Sequence, residues 1–435
     1  MRYIDSIHAA EDNPLQLEQL YHSALKENKS AEFKADLQAC FNASSENLLY
    51  TTWHYRFEYE SQEEQAGRHS INWRLALPLS VLTGLVLWLL SDQIFTFHNP
   101  ATSMPYLVLL WSPVVGLIII AFLTLTSKQG YPRTLLVCIG LVAISVYVML
   151  LSFNNRYYRE LMVPHLPLLA WFGILVSIIG LRSNPRTKFA LLTKSIEALV
   201  TGGVYLIGVF VFAGITSAMF SALGIQFSDP VNRLLFIGGG GLIPIIAIAS
   251  VYDPTVNPLQ QDFQRGLSHM TVLLPRFLLP LTILVLAIYL VVIPFNFLAP
   301  FQNRDVLIIY NVMLFAIIAL LAGATPLSPD DLSERYQSFL RNGILLVAVL
   351  VEVVSLYALS ATLYRTLQGG LTINRTAILG WNSINITLLA VLIYTQLRHG
   401  KQAWVDSLHF VFSLAAYAYA TWTLFLVAAI PWLFQ

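Results

Sequence analysis

One acidic side chain lies inside a long apolar run, where it could support proton or solute chemistry. Glu352 has only leucine and valine as its near neighbours. An ionisable group at mid-bilayer costs about 2.5–3.5 kcal/mol, so such groups usually face the bundle interior and find a partner. The next apolar run returns antiparallel, which places Asn385 near the depth of Glu352. Tyr357 of the first run and Asn382 of the second then meet one or two turns nearer the outer surface, and the four residues are predicted to form an in-membrane polar site. Either this site is a proton or cation relay or a substrate cavity, or a protonated carboxyl simply fastens two helices.

A second candidate is the turn between these two runs, where two cations flank a pair of glycines. Gly369 and Gly370 permit the positive φ that a chain reversal needs. Thr372 can cap the following helix, whose N-terminus offers free N–H groups and positive potential. Arg365 and Arg375 add two cations. Either these groups hold a phosphate from a lipid or a substrate, or the turn is only capped and its arginines touch headgroups unspecifically.

The sequence contains no motif that indicates metal binding, nucleotide binding or catalysis. The nine histidines and two cysteines show no metal-ligand spacing, and the sequence has no phosphate-binding loop, no nucleophile elbow and no paired acids in an apolar run. We therefore expect no cofactor and no metal, and the sequence favours a non-enzymatic protein. Nucleic-acid binding is not expected either, because the only sizeable polar segment is acidic.

The composition indicates which elements must position these residues. Hydrophobic residues make up 56% of the 435 and charged residues 11%, whereas a soluble domain carries roughly 25% charged residues. Backbone exposed to lipid must satisfy its own hydrogen bonds, so continuous apolar runs of ~20 residues predict membrane-spanning helices. The fold class is therefore all-α, a polytopic transmembrane bundle of about eleven spans. The spans are placed near residues 75–97, 104–126, 134–152, 164–181, 198–222, 232–251, 273–295, 305–324, 343–363, 376–396 and 408–433.

The charge distribution divides the chain and predicts its orientation. Residues 1–74 hold 7 Lys/Arg and 12 Asp/Glu, and residues 75–435 hold 18 and 12. We expect the first range to be a cytoplasmic, acidic helical segment that docks on the membrane domain or on a protein partner, and the second to be the transmembrane domain in contact with membrane lipids. A cytoplasmic N-terminus places fourteen Lys/Arg of the connections inside and six outside, as the positive-inside rule requires. The C-terminus is then external.

The sixth span contains a glycine run followed by a proline. Gly238 to Gly241 allow close approach of another helix, and Pro244 frees backbone carbonyls. The functional interpretation is that this span is the broken helix of a transporter. We favour the packing interpretation, because no matching break occurs at a corresponding place in the other half.

The hairpin tip resembles a family of bacterial multi-pass inner-membrane proteins known only as a domain of unknown function. That family shows Arg, then Tyr-Gly-Leu-Thr-x-x-Arg, with Trp shortly after. Gly369 stands here in place of the tyrosine, and the matching residues are Arg365, Gly370, Leu371, Thr372, Arg375 and Trp381. The resemblance implies a bacterial inner-membrane location and implies no activity.

Three functions remain open at this point. The first is a non-enzymatic inner-membrane protein that handles, senses or transports a small or lipidic solute through the polar site between the ninth and tenth spans. The second is a structural or accessory subunit that docks on a larger membrane complex. The third is a membrane enzyme acting on a lipid-linked substrate, for which an acid, base or metal cluster is missing from the sequence.

Overall fold

The computed structural model describes residues 3–26, 29–44, 47–66, 71–99, 102–153, 155–263, 267–329, 332–398 and 403–434. The chain forms two compact units, Met1–Ser70 and Ile71–Gln435. The boundary falls where the acidic, polar segment gives way to the first long apolar run.

The first unit is a group of short helices around an aromatic core. The rings of Tyr21, Phe33 and Trp53 pack within 5.4–6.2 Å of one another, and such pairs add about 0.5–1.5 kcal/mol beyond the area they bury. Arg56 lies over the Trp53 ring and pairs with Glu18 at 2.8 Å. The unit therefore has a core of its own. Its helices are α1 (Ile4–His8), α2 (Pro14–Lys26), α3 (Ser30–Ala43) and α4 (Leu48–Ala66).

The second unit is built almost entirely of long apolar helices. Among the described residues, eleven helices are long and apolar enough to cross a membrane, which confirms the predicted all-α polytopic bundle. The helices are α5 (Trp73–Leu90), α6 (Leu107–Ser127), α7 (Tyr131–Ser152), α8 (Arg156–Ile179), α9 (Pro185–Ala222), α10 (Asp229–Arg233), α11 (Gly239–Val251), α12 (Leu267–Val292), α13 (Ala299–Gln302), α14 (Arg304–Ala324), α15 (Glu334–Gly369), α16 (Ile373–Arg398), α17 (Trp404–Ala428) and α18 (Ile430–Leu433).

Several helix ends differ from the predicted spans. The first span stops at Leu90 rather than 97, and the chain then forms a hairpin of β1 (Thr96–Asn99) and β2 (Thr102–Pro105). The side chain of Phe97 in this hairpin is only 2% exposed and lies under the guanidinium of Arg159. Helices α9 and α15 have 38 and 36 residues. At 1.5 Å per residue both exceed the ~30 Å hydrocarbon core, so they extend beyond it.

The glycine run of the sixth span is a packing surface. A π-helical turn, Leu234–Gly238, joins α10 to α11 into one continuous span. A Cβ added at Gly241 would lie 2.7 Å from the Cα of Gly84 in α5, and one added at Gly84 would lie 2.6 Å from the oxygen of Gly238. The backbones of α5 and α11 approach so closely that only glycine fits. The structure therefore supports the packing interpretation of this run.

The largest apolar core is formed by α12, α14, α15, α16 and α17. Along α15 the buried residues recur every three or four positions, as on one face of an α-helix, and they include Leu340, Ile344, Val347, Val351 and Val354. This face packs α15 between α12 and α16. The candidate polar residues Glu352, Asn382 and Asn385 lie on α15 and α16, two of the helices of this core.

Candidate functional site

A histidine and a tryptophan that are far apart in sequence meet inside the bundle. His165 of α8 and Trp381 of α16 are 4% and 7% exposed. Trp381 donates its indole N–H to His165 Nε2 at 3.0 Å, and His165 Nδ1 donates to the Leu161 carbonyl at 2.6 Å. The indole nitrogen can only donate and the carbonyl can only accept, so this pattern requires the neutral imidazole with its proton on Nδ1. Both ring nitrogens are therefore satisfied.

A second polar contact follows one turn along α16. Tyr419 of α17 donates its hydroxyl to Asn385 Oδ1 at 2.6 Å, and its ring packs against Trp381 with centroids 5.2 Å apart. Asn385 is fully buried and stands twelve residues from the start of α16. At 1.5 Å per residue it lies about 18 Å from that end, close to the middle of the span. Three helices, α8, α16 and α17, thus converge on one polar centre.

This centre contains polar atoms that the described residues leave unpaired. The side-chain Nδ2 groups of Asn382 and Asn385 are enclosed and have no hydrogen-bond partner among the described residues. Asn382 is 2% exposed. Unpaired polar groups in a hydrocarbon environment cost several kcal/mol. Two buried amide donors are therefore available to an acceptor atom of a bound molecule.

The four residues predicted to form the in-membrane polar site do not form one hydrogen-bonded group. Tyr357 donates to the carbonyl of Phe297 at 2.6 Å and packs against the rings of Phe297 and Phe301. Asn385 Oδ1 instead accepts a hydrogen bond from the hydroxyl of Tyr419 of α17. Glu352 is half-buried on α15 and makes no hydrogen bond to the other three. The two asparagines lie near the polar centre defined above, and Tyr357 belongs to an aromatic cluster beside α13 and α14.

At the hairpin tip both arginines bind backbone carbonyls of the protein. Arg365 Nη1 donates to the Gln302 carbonyl at 3.0 Å. Arg375 Nη1 donates to the Gly370 carbonyl at 2.6 Å, and its backbone N–H bonds the Thr372 hydroxyl at 3.4 Å. Gly370 has φ 73°, the left-handed conformation expected of the reversal. Thr372 and Arg375 are therefore brought together at the turn, whereas Arg365 binds the carbonyl of Gln302 at the end of α13.

Two features of functional interest were missed at the sequence level. His165 was not singled out among the histidines, because its partner is 216 positions away. Lys194 and Glu197 of α9 form an ion pair at 2.7 Å with side chains 3% and 6% exposed. Lys194 also donates to the Asp262 carbonyl and lies over the Phe263 ring at 4.8 Å, so it fastens the connection after α11 to α9. The i, i+3 spacing of the pair was the available signal.

Among the described residues, no group of three or more His, Cys, Asp or Glu side chains could hold a metal ion. No protein-family model matches the chain, and no curated protein and no solved structure matches it. The resemblance of the hairpin tip to a domain of unknown function stays a prediction.

Proposed function

We propose that this multi-pass membrane protein binds a small or lipidic solute at the polar centre between α16 and α17, in a transport or sensing role. The observation that carries the proposal is the pair of enclosed, unpaired amide donors of Asn382 and Asn385. A site with donors and few free acceptors suits a solute that presents carbonyl, hydroxyl, carboxylate or phosphate oxygens. Tyr419 and Trp381 supply aromatic walls beside these donors.

The proposal is tested by native mass spectrometry of the full chain released from a mild detergent. We expect the wild type to retain a non-protein adduct that Asn385→Ala loses. Ser383→Ala is the matched control, because Ser383 is on the same helix, is exposed, and its hydroxyl donates to the Leu379 carbonyl of its own helix. Thermal unfolding of each variant shows whether it is folded. Identical adduct spectra for the two folded variants would contradict the proposal.

The bacterial inner membrane and a cytoplasmic N-terminus are parts of the same proposal. The orientation is supported by the excess of Lys and Arg in the connections on the side where α5 begins. The location is supported by the family resemblance of the hairpin tip. Fusion of reporter proteins to each terminus tests the orientation, since an odd number of spans puts the two termini on opposite sides.

The alternative, an accessory subunit, is favoured by the surface of the first unit. Leu15, Leu48 and Tyr55 are 69%, 81% and 60% exposed there, and large exposed apolar side chains are typical of protein contacts when they are contiguous. A protein that co-purifies with the wild type and is lost from Leu15→Glu/Leu48→Glu, with no solute adduct on either chain, would favour this role over solute binding.

A further inference from the structure

A pocket of about 400 Å³ lies among helix ends of the second unit, and none of the residues that line it belongs to the polar centre. Its walls come from the last turns of α6 and α8, the first turns of α7 and α9, and the connection that follows α11. Small-molecule sites typically measure about 300–1,000 Å³. The pocket therefore has the volume of a ligand site, and it is assembled from five separate segments.

The pocket contains hydroxyl groups without partners. Tyr252 lines it, is only 6% exposed, and its hydroxyl forms no hydrogen bond with any described residue. Ser183 also lines the pocket, and its enclosed Oγ has no partner. Burial, followed by the charge of Asp253, raises the pKa of Tyr252, so the hydroxyl keeps its proton and can donate. An enclosed donor without a partner is costly, so the Ser183 hydroxyl, in the same pocket as the Tyr252 hydroxyl, points to a bound acceptor.

The charge at the pocket is positive. Arg133 is the single charged residue among the sixteen described residues that line it. The guanidinium donates from Nε to the Ser177 carbonyl at 3.0 Å and from Nη2 to the Ile178 carbonyl at 2.8 Å. These bonds cover the negative C-terminal end of α8 and leave Nη1 without a partner among the described residues. The guanidinium is held between Gly130 and Gly180, whose φ values are 73° and 70°.

The first turn of α9 adds to this potential. Asn184 caps the helix by accepting from the Thr187 N–H at 2.7 Å, and Thr187 lines the pocket. The positive end of a helix dipole favours anions. Asp253 follows Tyr252 but does not line the pocket, and its Oδ1 accepts from both the backbone N–H and the hydroxyl of Thr255. One cation, hydroxyl donors and a helix N-terminus thus line one cavity.

We propose that this pocket binds a phosphate group, carried by a lipid headgroup or by a soluble phosphate ester, through Tyr252, Ser183 and the free Nη1 of Arg133. A phosphate accepts several hydrogen bonds at once, and bonds to a charged acceptor are about twice as strong as neutral ones. The site is separate from the polar centre between α16 and α17, so it stands whether or not that centre binds a solute.

The test uses the full chain in dodecyl maltoside micelles, which contain no phosphate. One arm titrates inorganic phosphate at constant ionic strength by calorimetry, and the other adds phosphatidic acid to the micelles and counts bound lipid by native mass spectrometry. The variants are Tyr252→Phe and Ser183→Ala. The matched control is Tyr131→Phe, which removes the same atom from a tyrosine that is 51% exposed and does not line the pocket.

We expect saturable binding in at least one arm, weakened about tenfold or more by Tyr252→Phe and unchanged by Tyr131→Phe, since a hydrogen bond to a charged group contributes about that factor. Binding of inorganic phosphate identifies a soluble ester as the ligand, and binding of phosphatidic acid alone identifies a headgroup. If Tyr252→Phe does not fold, Ser183→Ala carries the comparison. The absence of saturable binding in both arms, or equal affinities for the pocket variants and Tyr131→Phe, would overturn the proposal.

Discussion

His165 accepts a hydrogen bond from Trp381 at 3.0 Å, although the two residues are separated by 216 positions. The contact joins α8, in the first half of the bundle, to α16 in the second half. Because Trp381 also packs against Tyr419, the aromatic and polar groups of three helices share one centre. A substitution at this centre should therefore affect the packing of both halves of the bundle.

Trp381→Phe should lower the free energy of unfolding by about 1–3 kcal/mol, because it leaves the buried Nε2 of His165 without a donor. In a double-mutant cycle with His165→Leu, we expect a coupling of about 0.5–2 kcal/mol, as for other hydrogen bonds between membrane helices. Unfolding by sodium dodecyl sulfate measures both quantities. Trp432→Phe is the control, since that indole bonds Tyr147 from a side chain that is 62% exposed. Purely additive effects of the two substitutions would contradict this prediction.

The buried ion pair of α9 should behave differently when one or both partners are replaced. Lys194→Met leaves a buried carboxylate without its cation, a change that costs about 3–5 kcal/mol. Lys194→Met/Glu197→Met removes both charges and should cost less than the single change. Arg156→Met, which breaks an exposed pair with Glu160, should have little effect. Chemical unfolding gives the ranking, and a double variant less stable than Lys194→Met would refute it.

The loss of Lys194 should also release the connection after α11, because its ammonium group bonds the Asp262 carbonyl. Limited proteolysis of the folded protein measures this release as faster cleavage near residues 253–263. Unchanged cleavage in Lys194→Met would show that Gln261, which donates to the Asp253 carbonyl at 2.8 Å, holds the connection by itself.

Because α5 and α11 approach closely at Gly84, a larger residue at this position should lower the stability of the protein. Gly84→Ala places a Cβ 2.6 Å from a backbone oxygen, so the helices must separate, at a cost of about 1–3 kcal/mol. Gly203→Ala is the control, because a Cβ at that position of α9 meets nothing within 4 Å. Alanine there should be neutral or stabilising by up to about 1 kcal/mol. Equal unfolding free energies for the two variants would show that α5 and α11 are not in close contact.

A pH dependence is expected at the connection that follows α5. The backbone N–H of Ile94, and then the side chain of Arg233, lower the pKa of Asp92 below its ordinary value of 3.8. A lowered pKa in the folded state means that the carboxylate stabilises the fold above the ordinary pKa and loses this effect as the pH falls through the lowered one. The stability difference between wild type and Asp92→Asn should therefore be constant from neutral pH to about pH 5 and shrink below pH 4. Thermal unfolding of both proteins across that pH range measures the stability difference. A difference that grows as the pH falls would contradict this prediction.

The spans could be predicted well from the sequence, because the mean hydropathy of an apolar run depends only on the residues in that run. The prediction misplaced the start of α9, where Lys194 and Glu197 interrupt the apolar run, and the structure shows that the two charges neutralise each other inside the protein. The β-hairpin was missed because Ile94, Phe95 and Phe97 follow the apolar run of α5 after only three polar residues, although the helix ends at Leu90. Local composition does not reveal where a helix gives way to a hairpin.

The sites were harder to predict, because they depend on contacts between distant segments. Asn382 and Asn385 attracted attention as polar residues in an apolar run, and they prove to be buried. Their neighbour Tyr419 did not, since tyrosine is common in membrane helices and its hydrogen bond crosses to another helix. The pocket around Tyr252 combines five segments between residues 123 and 258.

The most direct test of solute access to the polar centre is the reactivity of a cysteine placed there. In a background without Cys40 and Cys138, Asn382→Cys is compared with Ala358→Cys, a buried position on α15 that is 6% exposed. A small charged methanethiosulfonate reagent is applied to the full chain in sealed vesicles. We expect Asn382→Cys to react at least about tenfold faster than Ala358→Cys, because a path for polar solutes leads to Asn382. Equal, slow reaction at both positions would mean that the centre is sealed and only fastens the helices together.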